Sequence, residues 1–293
     1  MDISLPDYFK KRKDHLQEVC KAYALNKPSF INKRRTDQFM INRKYGLIWC
    51  NIFKAASSTW LWNFNSLAGY SETELIANRN APLNLARAKY KRPSVSEVDE
   101  ARSALPHSIT FIIVRHPFSR LISGYRDKIL SQKSYYRPLA AKMLRSHPEL
   151  KDQHPSDWTN QIPTKGLPVP TFAQFVQYII DQRKKRRPIN EHWIPMNDFC
   201  TPCLNNFDII AKVETLEEDT NYIVYKTGVE NIIKSQVLNR ANGKSTTDVT
   251  EYYICQLTNQ QFLDLVDLYK YDIELFDYDI HKYANCTNPN KTV

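Results

Sequence analysis

Two short segments of the 293-residue chain combine basic side chains with hydroxyl groups directly after an apolar run, an arrangement that can bind an anion such as phosphate. The first segment, FKAASSTW, supplies Lys54, Ala55, Ala56, Ser57, Ser58, Thr59 and Trp60. If a helix begins after the alanines, its first backbone amides and its dipole attract an anion. Lys54 adds a mobile positive charge, and the small alanines let the backbone approach the anion without glycine. The segment also fits an ordinary helix cap of serine and threonine beside a solvated lysine.

The second segment follows the apolar run at residues 109–114. It places Arg115 at the end of that run, Arg120 one helical turn past His116, and Ser123 further along the same predicted helix. Arg115 and Ser123 can converge on one phosphate, for which the planar arginine fork is well suited. A capped helix whose arginines pair with nearby acids is the alternative. Taken together, the two segments offer two anion sites for one elongated ligand.

The elements that must position these residues are strands followed by helices. Apolar runs rich in β-formers at residues 45–53, 109–114 and 207–211 predict buried strands, and helical spacing follows each of them. Repeated strand–turn–helix units predict an α/β fold with a central parallel sheet flanked by helices. Ligands bind such sheets at the carboxyl ends of the strands. We expect a basic N-terminal helix or arm at residues 1–44 and a single catalytic domain at residues 45–293.

Composition limits the classes of protein to consider. The chain has only 6 glycines, too widely spaced for a GxGxxG or Walker loop, which disfavours Rossmann dehydrogenases, protein kinases and standard P-loop NTPases. The formal net charge of +10 predicts an anionic partner such as nucleic acid, an acidic membrane surface, a polyanionic sugar or a phosphate-rich cofactor. No apolar run reaches membrane-spanning length and the first residues show no signal-peptide core, so we expect a soluble chain or one cut free of its targeting segment.

The 6 cysteines are enough for two or three disulfides in an oxidising compartment. Cys200-Thr-Pro-Cys203 also looks like half of a zinc site. No second CxxC or HxxxH follows at the spacing of a zinc finger, so a disulfide or buried thiols are favoured and no metal is expected. Asn285-Cys286-Thr287 is a glycosylation sequon, a hint of the secretory pathway.

With these motifs in order, the chain resembles the Golgi carbohydrate sulfotransferases, which include the chondroitin and dermatan 4-O-sulfotransferases. The motifs that carry the resemblance are WCNIFKAASSTW (49–60), FIIVRHPFSRLISGYRDK (111–128), NEHW (190–193), CTPC (200–203), FDIIAKVETLEED (207–219) and STTD (245–248). The resemblance runs from about residue 20 to residue 283. Two departures are Phe53, where family members usually have proline, and the absence of a stem and membrane anchor.

The resemblance implies a P-loop-like sulfotransferase fold and 3′-phosphoadenosine 5′-phosphosulfate (PAPS) as the sulfuryl donor. Lys54 and the hydroxyl cluster would hold the 5′-phosphosulfate, Arg115 and Ser123 would hold the 3′-phosphate, and Arg120 and Lys244 are also expected at the nucleotide. The acceptor hydroxyl needs a general base. His192 is the first choice because imidazole titrates near neutral pH, with Glu191 and Glu214 as alternatives.

The expected acceptor is an anionic glycan or proteoglycan of the chondroitin or dermatan type, or a glycan ending in GalNAc or uronate. The expected location is the Golgi lumen, with a membrane contact only through an anchor absent from this chain, and no nucleic-acid partner. The Arg183–Arg187 run and the N-terminal arm either hold a sulfated or uronate-bearing chain or are simply solvated. The competing functions are a non-catalytic binder of heparin-like chains or nucleic acid, and a diverged nucleotide kinase.

Overall fold

The computed structural model describes residues 6–28, 33–104, 107–151, 168–233 and 246–284. The chain forms two compact units. The first contains residues 1–115, 196–240 and 274–277, and the second contains residues 116–195, 241–273 and 278–293. The predicted catalytic domain at residues 45–293 therefore contributes to both units, and the chain passes from the first to the second directly after Arg115.

The first unit is built on a four-stranded sheet in the order β1 (Phe39–Asn42), β2 (Leu47–Cys50), β3 (Ile109–Val114) and β4 (Ile209–Lys212). β1 is antiparallel to β2, whereas β2, β3 and β4 run parallel. Every residue of β3 is buried, as expected for a central strand covered on both faces. The α/β class and the three predicted strands are thus confirmed.

The helices belong partly to the first unit and partly to the second. Before β3 come α1 (Asp7–Ala22), α2 (Ser57–Leu67), α3 (Glu72–Ala77), α4 (Pro82–Lys89) and α5 (Val95–Ala104). Between β3 and β4 come α6 (Pro117–Gly124), a π-helix (Tyr125–Leu130), α7 (Arg137–Ser146), α8 (Phe172–Lys184) and α9 (Met196–Cys200). After β4 come α10 (Leu216–Lys226), α11 (Thr246–Ile254), α12 (Asn259–Leu268), α13 (Lys270–Leu275) and α14 (His281–Ala284). No helix within the described ranges combines the length and the apolar character that crossing a membrane requires.

An aromatic cluster holds α2 against the sheet of the first unit. The indole of Trp60 lies with its ring centroid 4.5 Å from that of Phe111 on β3, and Trp49 on β2 lies 5.3 Å from Phe64. All four side chains are fully buried. Such pairs contribute beyond their buried area, so the start of α2 is fixed relative to the ends of β2 and β3.

The N-terminal segment is part of the first unit. The predicted basic helix is present as α1, and Arg12 on it donates to the buried carboxylate of Asp219 at 2.7 Å. A disulfide joins Cys20 on α1 to Cys203. β1 also lies in this segment and pairs with β2 through a turn at Gly46, whose φ of 64° is in the left-handed region that favours glycine.

The second unit has its own core, formed by α6, the π-helix, α8 and α12. Tyr125 lies at its centre, fully buried and with its ring centroid 5.1 Å from that of Phe175. α8 and α12 each begin with a complete capping box, built by Thr171 with Gln174 and by Thr258 with Gln261. This packing supports the turn at residues 190–194, which carries the candidate base.

Candidate functional site

The loop between β2 and α2 leads into a helix start that has no side-chain cap. Ala56 is the N-cap of α2 and makes no side-chain capping hydrogen bond, so the first-turn amides receive no oxygen from it. The N-terminus of α6 is different, because its N-cap His116 accepts a hydrogen bond from the Phe118 amide through Nδ1 at 3.2 Å. α2 therefore begins as an uncapped positive end, next to Lys54.

The backbone of this loop is strained without any glycine. Lys54 has a φ of 69° and Ala56 a φ of 57°, both in the left-handed region. Each such residue costs roughly 1 kcal/mol relative to a right-handed conformation, and strain of this kind concentrates at functional sites. Phe53, the departure from the family pattern, is buried and packs with its ring centroid 5.9 Å from that of Phe199. The apolar contact anchors the residue that precedes Lys54.

Arg115 lies beside the same loop. β2 and β3 are parallel neighbours with Cys50 opposite Ile112, so the residues that follow the two strands emerge at the same edge of the sheet. The half-buried Arg115 donates from Nη1 to the carbonyl oxygen of Lys54 at 3.1 Å. Two residues from separate predicted motifs are thus brought together, 61 positions apart in sequence.

The other basic residue of the second motif, Arg120, lies in the second unit and contacts backbone. Its side chain is almost completely buried, with a residue exposure of 1%. It donates from Nη1 to the Ile194 carbonyl at 2.6 Å and from Nη2 to the Glu191 carbonyl at 3.2 Å. Arg120 therefore holds the turn around His192. Ser123 lies on the same helix and is half-buried.

His192 is buried and has a defined hydrogen-bonding environment. Its Nδ1 lies 2.9 Å from Oδ1 of Asn190 and 3.0 Å from the Tyr136 hydroxyl. The His192 backbone amide donates to the same Asn190 oxygen at 3.0 Å, which identifies that atom as the carboxamide oxygen. Because this oxygen only accepts, we assign the proton to Nδ1 and the lone pair to Nε2. A neutral imidazole in this tautomer can accept a proton at Nε2.

Tyr136 was not among the predicted site residues. Burial raises the pKa of its phenol to about 12, so the hydroxyl stays protonated beside His192 at neutral pH. It lies in a polar stretch in which no periodicity or motif marks it, and only the contact with His192 identifies it. Trp193 is 1% exposed and packs on Phe175, so it fills the core.

The sulfotransferase family model matches residues 37–279, which includes the loop at Lys54, Arg115 and the turn at His192. The chain belongs to the sulfotransferase family. No solved structure gives a significant match.

Curated relatives of this sulfotransferase are carbohydrate sulfotransferases. Carbohydrate sulfotransferase 11 of Mus musculus is 27% identical over 280 residues, which cover 93% of this chain and 76% of the relative. Carbohydrate sulfotransferase 14 of Danio rerio is 28% identical over 249 residues, covering 85% of this chain and 64% of the relative. Carbohydrate sulfotransferase 8 of Mus musculus is 25% identical over 287 residues, covering 94% of this chain and 65% of the relative.

The remaining predicted residues of this sulfotransferase are distributed as follows. Ser57 is half-buried, Ser58 is exposed, and Thr59 is 3% exposed on the first turn of α2. Glu191 and Glu214, the alternative bases, are both exposed. Lys244 and Asn285 lie outside the described residues.

The cysteine motif of this sulfotransferase is structural. Cys200 forms a disulfide with Cys50, and Cys203 forms one with Cys20. Both sulfurs of the CxxC are therefore oxidised, which makes the disulfide interpretation correct and the zinc interpretation wrong. Among the described residues, no group of three or more His, Cys, Asp or Glu side chains is arranged to hold a metal ion. Cys50 is the last residue of β2, so its disulfide ties the strand before the Lys54 loop to α9.

Proposed function

We propose that this protein transfers a sulfuryl group from PAPS to a hydroxyl of a glycan, of the chondroitin or dermatan type or ending in GalNAc or uronate. The observation that carries the proposal is the strained, glycine-free loop at Lys54, which leads into the uncapped start of α2 and is bonded by Arg115. The names of the relatives, all carbohydrate sulfotransferases, support the glycan acceptor. The disulfides are consistent with an oxidising compartment and support the Golgi lumen.

The residues of the loop fit the donor. The first-turn amides of α2 and the hydroxyls of Ser57 and Ser58 can bind the oxygens of the 5′-phosphate. Lys54 would neutralise the charge that grows on the bridging oxygen as the sulfur–oxygen bond of the donor breaks. Arg115, with its planar guanidinium, suits the 3′-phosphate, and Ser123 is proposed as a further donor to it.

On the acceptor side, His192 would act as the general base. Nδ1 donates to Asn190, so Nε2 has the lone pair that accepts the proton of the attacking hydroxyl. The hydroxyl oxygen then forms a bond to sulfur, and the electron pair of the broken bond leaves on the 5′-phosphate of 3′-phosphoadenosine 5′-phosphate. Glu191 and Glu214 are the alternatives if His192 only supports the turn.

The test is sulfuryl transfer from radiolabelled PAPS to a panel of desulfated glycosaminoglycans and GalNAc-terminated glycans. We expect labelling of at least one acceptor, and a loss of about 10²–10³-fold in Lys54→Ala, since one such donor is worth that much. Arg115→Ala should abolish transfer and weaken binding of 3′-phosphoadenosine 5′-phosphate. Lys89→Ala, which removes an exposed lysine of α4, is the matched control and should keep full activity.

Two results would contradict the proposal. One is that no acceptor is labelled and 3′-phosphoadenosine 5′-phosphate does not bind, while polyanions still do, as a non-catalytic binder would behave. The other is near-normal transfer by a correctly folded Lys54→Ala variant. Retained activity in His192→Ala would move the base role to Glu191 or Glu214 without affecting the donor site.

A further inference from the structure

A run of five basic residues, Arg183–Arg187, ends α8 and is named here the basic turn. All five are exposed. The Arg186 amide donates to the Arg183 carbonyl at 3.0 Å, and the Arg187 amide donates to the Gln182 carbonyl at 2.8 Å. These bonds close the end of the helix and give the turn a defined backbone.

The basic residues of this turn differ in their partners. Lys184 pairs with Asp264 at 2.7 Å and Lys185 with Asp181 at 3.3 Å, so both charges are compensated. Within the part of the chain that the structure describes, no ion pair joins Arg186 or Arg187 to a carboxylate. Two adjacent guanidinium groups are thus exposed and uncompensated.

Helix stability does not account for these two arginines. The helix dipole favours cations in the last turn, where Arg183 and Lys184 already lie. Arg186 and Arg187 follow the last residue of α8, and Arg186 has a φ of 52°. Glycine or asparagine adopts this left-handed conformation at lower free-energy cost, so arginine is not the residue that the backbone at position 186 favours.

The basic turn is close to the candidate base along the chain. Five residue steps separate Arg187 from His192, which limits the distance between their Cα atoms to about 18 Å. The intervening chain is held in place, because Ile189 packs against the core and the amides of Trp193 and Ile194 donate to the Asn190 carbonyl at 3.0 and 2.9 Å. The two free guanidinium groups therefore lie at a limited distance from the position where the acceptor reacts.

We propose that Arg186 and Arg187 bind an anionic group of the acceptor glycan, a carboxylate or a sulfate ester on a sugar near the one whose hydroxyl reacts. This inference rests on the proposed function and gives the acceptor site a preference for acidic glycan chains. Guanidinium binds carboxylate and sulfate oxygens in pairs. The turn interleaves no aromatic side chains, on which the bases of a single-stranded nucleic acid would stack, so an acidic glycan is the better fit.

The experiment uses the double variant Arg186→Asn with Arg187→Gln, because asparagine tolerates the left-handed backbone. Steady-state transfer is measured with an unsulfated chondroitin hexasaccharide and with a neutral GalNAc-terminated hexasaccharide. We expect KM for the acidic acceptor to rise roughly tenfold, since each exposed pair is worth up to a few-fold. The kcat value, the KM for PAPS and the KM for the neutral acceptor should stay within about twofold.

The matched control is Lys184→Gln with Lys185→Gln, which removes the same charge from the same turn but only from ion-paired side chains. Its KM for the acidic acceptor should rise less than about threefold. An equal rise in both double variants would show that only net charge matters and would overturn the proposal. So would an unchanged KM in the arginine variant, or stronger loss of binding to an oligonucleotide of equal charge than to the chondroitin hexasaccharide.

Direct binding of the chondroitin hexasaccharide, measured by calorimetry, separates this proposal from the proposed function. If the wild-type protein labels no acceptor, the proposed function fails. The hexasaccharide affinity of the arginine variant still decides whether the basic turn binds an acidic glycan: a roughly tenfold loss supports the turn, and unchanged affinity overturns it.

Discussion

Replacing Arg120 by lysine is expected to loosen the turn that carries His192 while leaving nucleotide binding unchanged. The sequence predicts Arg120 at the nucleotide. In the structure its buried guanidinium donates to the carbonyls of Ile194 and Glu191 on either side of His192. A lysine keeps the charge but has a single nitrogen, so it cannot bridge both carbonyl oxygens in the planar geometry of arginine.

The size of the effect follows from these two bonds. A hydrogen bond to a charged group contributes about 1.5–3 kcal/mol, and losing one leaves a buried carbonyl without its donor. We expect Arg120→Lys to lower the free energy of unfolding by about 2 kcal/mol and Tm by about 5 °C. A displacement of the base by roughly 1 Å can cost as much as 10²-fold, so kcat should fall between tenfold and a hundredfold.

The assay combines three measurements on Arg120→Lys: thermal unfolding, kcat for sulfuryl transfer, and the Kd for 3′-phosphoadenosine 5′-phosphate, which should stay within about twofold. Arg126→Lys is the matched control, because Arg126 is exposed six residues further along the chain and should tolerate the change in all three measurements. The reasoning is refuted if Arg120→Lys raises Kd as much as Arg115→Ala does while Tm is unchanged. That result would place Arg120 at the nucleotide.

Three further predictions concern the framework of the site. Replacing Cys20 and Cys203 by serine opens a loop of about 33 residues, which in the native protein is closed by this disulfide together with the one between Cys50 and Cys200. The free energy of unfolding, measured in urea, should fall by about 3–4 kcal/mol. A loss below about 1 kcal/mol would contradict this prediction. Burial raises the pKa of Tyr90 to about 12. The neutral, buried phenol therefore makes its full contribution to the free energy of unfolding below pH 10, and that contribution is lost as pH rises through 12. Tyr90→Phe should therefore unfold with a weaker pH dependence in this range, and an equal dependence argues against the shift. Ala56 has a φ of 57°, so Ala56→Gly should change the free energy of unfolding by no more than about 1 kcal/mol, whereas Ala56→Val should lower it by more than that. Equal thermal stability of the two variants would argue against backbone strain at this position.

Much of the framework can be predicted from local pattern. The apolar run at residues 109–114 predicts β3 because a central parallel strand is buried on both faces and has no polar alternation. The loop at Lys54 is predicted because a strand must end and a helix must begin within a few residues. β1 is missed because it has only four residues, FMIN, and its pairing with β2 depends on the turn at Gly46.

The contacts that position the candidate base could not be predicted in the same way. Tyr136 meets His192 across 56 positions, and Arg120 reaches the Ile194 carbonyl across 74. In the sequence, the neighbours of Tyr136 and Arg120 are no different from those of an ordinary surface tyrosine or helical arginine, so no local signal marks either residue. The disulfide pairing could not be predicted from the sequence either, because 6 cysteines allow 15 pairings. The fold joins Cys50 to Cys200 and Cys20 to Cys203.

The residue types and their spacing along the chain predicted the α/β class and the basic and hydroxyl side chains that follow β2 and β3. These features depend on strand periodicity, helix starts and charge, which act over a few residues. The sulfotransferase family was recognised from the resemblance of whole motifs, and the family model confirms it. The bond from Arg115 to the Lys54 loop, the structural use of Arg120 and the tautomer of His192 depend on packing that brings distant segments within hydrogen-bonding distance. Such contacts are selected by the collective burial of the core, and no single segment contains the information that specifies them.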